Sequence, residues 1–134
     1  MTIKLYKTIA SIGAWIRETQ HDLRHYEKRC YISGAITSLL NTPEEAFACE
    51  RDFAFIAERV KKMGYIAVVP FGMCPKDWPY WKIMLHVCWK LILCKTVYFM
   101  DNWQTSKGCR IEHVISKLFL KTILYESTTW NEVK

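Results

Sequence analysis

Apolar residues recur along this chain in two rhythms. Residues 30–34, 65–69, 96–100 and 121–125 form short runs rich in β-branched and large apolar side chains, with little polar alternation. That pattern predicts parallel strands covered on both faces. Between and before them the spacing is helical. Residues 3–27 place Ile9, Ile12, Ile16, Leu23 and Tyr26 roughly on one side, with Arg17, Glu18, Asp22 and Arg24 elsewhere. A second helix is announced by Thr42 as N-cap, Pro43 in the first turn and Glu44 and Glu45 against the dipole. It runs through Phe47, Phe53, Ile56 and Val60 to Lys61 and Lys62, and Gly64 stops it. Residues 81–93 are apolar on most sides, so this third helix is expected to be buried on most sides. The fourth repeats Ile111, Val114, Ile115 and Leu118, a stripe expected to pack on the sheet, with Glu112 one position round at its edge.

Strands alternating with helices imply a parallel sheet with right-handed crossovers. In such a sheet the ligand crevice lies outside the carboxyl ends of the strands. Three loops reach that edge. Residues 35–41 follow the first strand, where Gly34 serves either a turn or a close approach to a ligand. Residues 71–79, with Gly72 and with Pro70, Pro75 and Pro79, carry an aromatic lip of Trp78, Tyr80 and Trp81. Those rings either stack on a base or cap the core. The turn at 101–110 opens the fourth helix, and its free N–H groups, with Ser106, Gly108 and Glu112, would face the crevice.

Composition narrows the picture. With 134 residues, 51% hydrophobic and 24% charged, the chain suffices for one domain with a real core. We divide it into a helical extension (1–27), the α/β domain (28–126) and a polar tail (127–134) containing Trp130. A net charge of +6 favours anionic partners, but Lys and Arg are spread along the chain, so no specific nucleic-acid site is expected. Six cysteines, at 30, 49, 74, 88, 94 and 109, show no C-x-x-C and no zinc spacing. Free buried thiols, a cytoplasmic location and no metal are expected. The apolar part of the first helix, residues 9–16, is too short to span a bilayer, and no signal-peptide cleavage site follows it. Trp15, Lys4 and Lys7 would suit a membrane surface. An extra layer on the domain or an oligomer contact is the expected role, and the third helix is a second surface expected to pair.

Taken singly, the chemically interesting residues have ordinary readings: Glu112 a boundary glutamate, His86 a core histidine, Ser33 a turn former. Their order changes this. Tyr31-Ile32-Ser33-Gly34-Ala35-Ile36, then Gly64 before a strand closed by Pro70, then Trp103-x-x-Ser106-x-Gly108-x-x-x-Glu112 resembles the nucleoside 2-deoxyribosyltransferase-like superfamily, most closely its DUF4406 branch, over about residues 29–126. The resemblance implies a flavodoxin/Rossmann-like three-layer sandwich with a parallel sheet of four to five strands, here with an extra N-terminal helix. It implies N-glycosidic cleavage of a nucleoside or nucleoside 5′-monophosphate by a glutamate nucleophile, with no cofactor, in a homo-oligomer. Glu112 matches the nucleophile and Tyr31 the tyrosine that orients it. Ser33, Gly34, Trp103, Ser106 and Gly108 match the substrate-binding loops. Ser106 stands where the transferase branch usually has aspartate, which leans toward hydrolysis.

The chain departs from its relatives where many carry an acid to protonate the leaving base: Val87 and Lys95 occupy usually acidic positions. Three readings stay open. His86 or Asp101 substitutes as proton donor, only activated bases react, or turnover is lost and a nucleotide-binding or regulatory module remains.

Overall fold

The computed structural model describes residues 3–35, 43–70 and 77–127. Thr42, Ile36, Gly72, Cys74, Pro75 and Trp130, and most of the loops and tail that hold them, lie outside these residues. In chain order the elements are α1 (Ile3–Arg24), β1 (Arg29–Ser33), α2 (Pro43–Lys62), β2 (Ile66–Val68), α3 (Tyr80–Ile92), β3 (Thr96–Phe99), α4 (Lys107–Leu118) and β4 (Thr122–Tyr125). The long first helix ends earlier than its periodicity suggests, and a 3₁₀ turn at Tyr26–Lys28 leads into β1. Gly64 follows α2 at φ +95, a left-handed backbone that glycine adopts without strain.

The four strands form an all-parallel sheet in the order β2-β1-β3-β4. The architecture is α/β, a sheet flanked by helices as in flavodoxin/Rossmann-like sandwiches. The chain moves outward from β1 to β2, then crosses back over β1 to β3. The topological switch therefore falls between β1 and β3, where open α/β sheets bind ligands.

Period-two alternation sorts the strand residues between the two faces. Cys30 and Ile32 of β1, with Tyr98 of β3 and the following Met100, pack against Phe53, Ile56, Ala57 and Val60 of α2. Tyr31, Val97 and Phe99 point the other way and pack against Val87 and Leu91 of α3. Ser33, two residues beyond Tyr31, continues that second face to the strand's end.

The fourth helix departs from its sequence pattern. Ile111, Val114 and Leu118 face outward, and of the expected stripe only Ile115 packs on the core. The buried face is Cys109, Glu112 and Ser116, spaced i, i+3, i+7 on one side of a helix. Cys109 and Ser116 are small, and the Ser116 hydroxyl donates to the Glu112 carbonyl at 2.7 Å, so nothing polar on this face is left unpaired by them. Hydrophobic periodicity thus gives the wrong rotation for α4, because the inward face is built around a carboxylate.

α1 docks through charge and aromatic stacking. Trp15 stacks on Trp89 of α3 with ring centroids 5.5 Å apart. Buried Asp22 accepts from Arg29 Nη1 at 2.9 Å and from Lys90 Nζ at 3.0 Å, and Lys90 also donates to Glu18. Of its apolar side chains, Ile9, Ile12, Ile16 and Leu23 stay exposed. No helix among the described residues is long and apolar enough to cross a membrane.

Candidate active site

Glu112 sits beneath the switch point, almost fully buried. Tyr31 Oη donates to its Oε1 at 3.0 Å and Ser33 Oγ donates to its Oε2 at 2.5 Å. The two donors sit at i and i+2 of β1, so strand geometry alone puts both hydroxyls on the α4 side. Glu112 reaches them because α4 starts where it does. Ser106 caps the helix, its Oγ accepting from the Cys109 N–H at 3.4 Å, which fixes the first turn and the angle at which Glu112 points.

Two forces act on the carboxyl. Burial disfavours the charged form, while hydrogen bonds from Ser33 and Tyr31 favour it. Burial wins, and the pKa is pushed up from 4.5 to about 7. Near neutral pH both protonation forms are therefore populated. Tyr31 is driven well above its ordinary range, first by burial and then by the Glu112 charge and hydrogen bond, so it remains a donor. Cys88 of α3 and Cys109 complete the surroundings. Burial raises both thiols, and the Glu112 charge raises them further, so both stay protonated.

The other residues singled out by sequence occupy different places. Asn102 at the end of β3 accepts from the Ala35 N–H at 3.1 Å, tying the loop after β1 to the loop after β3 across the switch point. Gly34 makes room for core packing: a Cβ there would collide with Met100 and lie 3.1 Å from Phe53. Gly108 has no such constraint, since a Cβ would meet Met84, Tyr80 and Ser106 only at ordinary contact, 3.5–3.7 Å. The nearest of these atoms belong to the start of α3, which packs beside it. Trp103 packs in an aromatic cluster, stacked on His113 with centroids 4.3 Å apart and tilted against Phe99. In that cluster His113 Nε2 and Tyr125 Oη are 2.7 Å apart.

Neither candidate proton donor touches Glu112. His86 lies edge-on to Trp78, and burial followed by the nearby Lys90 charge lowers its pKa. Asp101 is exposed. Its carboxylate accepts from Ser127, and its N–H donates to Glu126 at 2.8 Å, binding it to the end of β4. Val87 is a core residue facing the sheet. Lys95 pairs with Glu27 at 3.0 Å at the amino end of β3, the end of the sheet opposite Glu112, so its charge has no bearing on the site.

Sequence reasoning missed Cys88 and Asn102. The i, i+4 pair Met84 and Cys88 marks the side of α3 next to Gly108 and Glu112, but that side becomes recognisable only once α4 is placed. Among the described residues no group of three His, Cys, Asp or Glu could hold a metal ion. A hollow lined by Ile3, Lys4, Lys7, Thr8, Ser11 and Ile12 runs along α1 and shares no residue with the Glu112 cluster. A groove on a single helix encloses no ligand.

No curated protein matches the chain. A family model does: residues 28–125, well over half of the 134, match the Domain of unknown function (DUF4406), and the chain belongs to that family.

Proposed function

We propose that this protein cleaves the N-glycosidic bond of a nucleoside or nucleoside 5′-monophosphate, with Glu112 as nucleophile, as the resemblance to nucleoside 2-deoxyribosyltransferase-like proteins implies. One observation carries the reading. A buried carboxylate, with no cation bonded to it among the described residues, is held at both oxygens by hydroxyls from a strand far away in sequence, at the carboxyl edge of the sheet. A buried anion without counter-charge is costly to keep for structure alone. It becomes useful where positive charge develops.

In the step we envisage, one Glu112 oxygen forms a bond to the anomeric carbon. The carbon–nitrogen bond breaks with its electron pair going to the base, which takes up a proton from solvent water. Positive charge on the sugar in the transition state supplies a counter-charge that none of the described residues bonded to Glu112 provides, and a preorganised buried site strengthens that attraction. Water then displaces Glu112 to give free sugar, or a second base displaces it to give transfer. Tyr31 and Ser33 hold the carboxylate plane throughout, and the amino end of α4 at Ser106 and Gly108 is where a sugar or phosphate group would bind.

The test is release of free base from a panel of deoxynucleosides and their 5′-monophosphates, followed by chromatography. We expect release by wild type and loss of at least about a thousandfold in Glu112→Ala, the scale of removing a group that acts only in the transition state. Equal release by the variant would sink the proposal. A second reading, a nucleotide-binding or regulatory module without turnover, is favoured by the positions of His86 and Asp101, neither of which supplies a proton to the cluster. Nucleotide binding with no base released by wild type would select it.

A further inference from the structure

α1 is amphipathic in an unusual sense. The side toward the domain carries Trp15, Glu18 and Asp22, and these already satisfy its docking on Trp89, Lys90 and Arg29. The apolar side chains lie on a different, exposed side. Leu5, Ile9, Ile12, Ile16 and Leu23 remain 44–54% exposed. Together with Thr19 they follow one another at intervals of four, three, four, three and four residues. This is the a/d spacing of a helix-pairing seam sustained through the whole helix.

The width of the stripe decides what covers it. At 3.6 residues per turn these six positions fall within about 80° of arc, narrower than the face a helix presents to a core or to a bilayer surface. Trp15, which would anchor a membrane-surface helix, lies off the stripe and has one face stacked on Trp89. The cations Lys4, Lys7, Arg17 and Arg24 all lie off the stripe, so two copies can approach along it without like charges meeting. A helix of 22 residues is about 33 Å long, and two such stripes face to face cover on the order of 1,000 Å², the size at which specific pairing begins. A self-complementary surface of this kind suits a two-fold dimer. α1 also lies outside the residues that match the family, so the seam is an addition to the α/β domain.

We infer that α1 pairs with α1 of a second copy of this chain along Leu5, Ile9, Ile12, Ile16, Thr19 and Leu23. The experiment is light scattering and sedimentation of the full chain at tens of micromolar, beside Ile12→Glu/Ile16→Glu and the control Leu85→Glu on the exposed side of α3. We expect wild type and the Leu85 variant at twice the 15.9 kDa chain mass, and the double variant at the single mass with near-UV circular dichroism unchanged. A monomeric wild type overturns the inference, as does a dimer that survives the double substitution. Wild type that stays monomeric and sediments with phosphatidylserine vesicles, losing that behaviour in the double variant, overturns it in favour of a membrane surface.

Discussion

Two buried carboxylates in this molecule are handled in opposite ways. Asp22 is held between two cations, Arg29 at 2.9 Å and Lys90 at 3.0 Å. Glu112 is buried to a similar degree, yet the groups bonded to its side chain are two neutral hydroxyls. The first arrangement fastens a helix to a domain. The second has no cation bonded to it among the described residues, and burial displaces its pKa to about 7 against the pull of the two hydroxyls. The difference is that between a carboxylate kept for structure and the one for which we propose chemistry.

The comparison can be broken most forcefully at Asp22. Asp22→Ala leaves Arg29 and Lys90 buried with their shared partner gone. We expect a loss of about 3–5 kcal/mol in denaturant unfolding, and a loss under 1 kcal/mol would mean that α1 is not held by this cluster.

Glu112 should respond in the reverse direction. Its folded pKa is raised, so the folded chain binds more protons than the unfolded chain between pH 4.5 and about 7. Stability from this group is fully present below 4.5 and is lost as pH rises through about 7, a span worth about 3 kcal/mol. Glu112→Gln keeps an acceptor for Tyr31 and removes the titration. The variant should therefore match wild type near pH 4 and exceed it near pH 8 by up to about 3 kcal/mol. A difference that does not change with pH would show that the carboxyl is not held up by burial.

Smaller effects sharpen the picture. Tyr31→Phe and Ser33→Ala each remove a bond to the ionised form, so each should raise the Glu112 pKa further, and Ser33→Ala should do so more because its contact is shorter. Carboxyl infrared titration reads this directly, and a fall in either variant would contradict it. Smallest is Ser106→Ala, which removes the N-cap of α4 and should cost about 1 kcal/mol in thermal unfolding.

Much of the architecture was legible because the strand runs lack polar alternation and the punctuation is strong. Each of the four strands lies within its predicted run except that β1 starts one residue earlier, at Arg29, and Gly64 closes α2. The rotation of α4 was not legible. Ile111, Val114 and Leu118 outscore Cys109, Glu112 and Ser116 on any hydrophobic measure, and only Tyr31 and Ser33, about 80 residues upstream, make the polar face buriable. The pairing of Tyr31 with Glu112 came within reach through motif order, which periodicity does not contain. The site's limits escaped for the same long-range reason. His86 packs on Trp78 and not on the cluster, and Lys95 pairs with Glu27 at the opposite end of β3.

The most direct test of the account is intact-mass and peptide mass spectrometry of the protein after rapid acid quench during incubation with a deoxynucleoside or its 5′-monophosphate. The account predicts a deoxyribosyl or deoxyribosyl-phosphate adduct on the peptide containing Glu112, absent in Glu112→Gln. Base release that persists in Glu112→Gln, with no adduct on wild type, would contradict it.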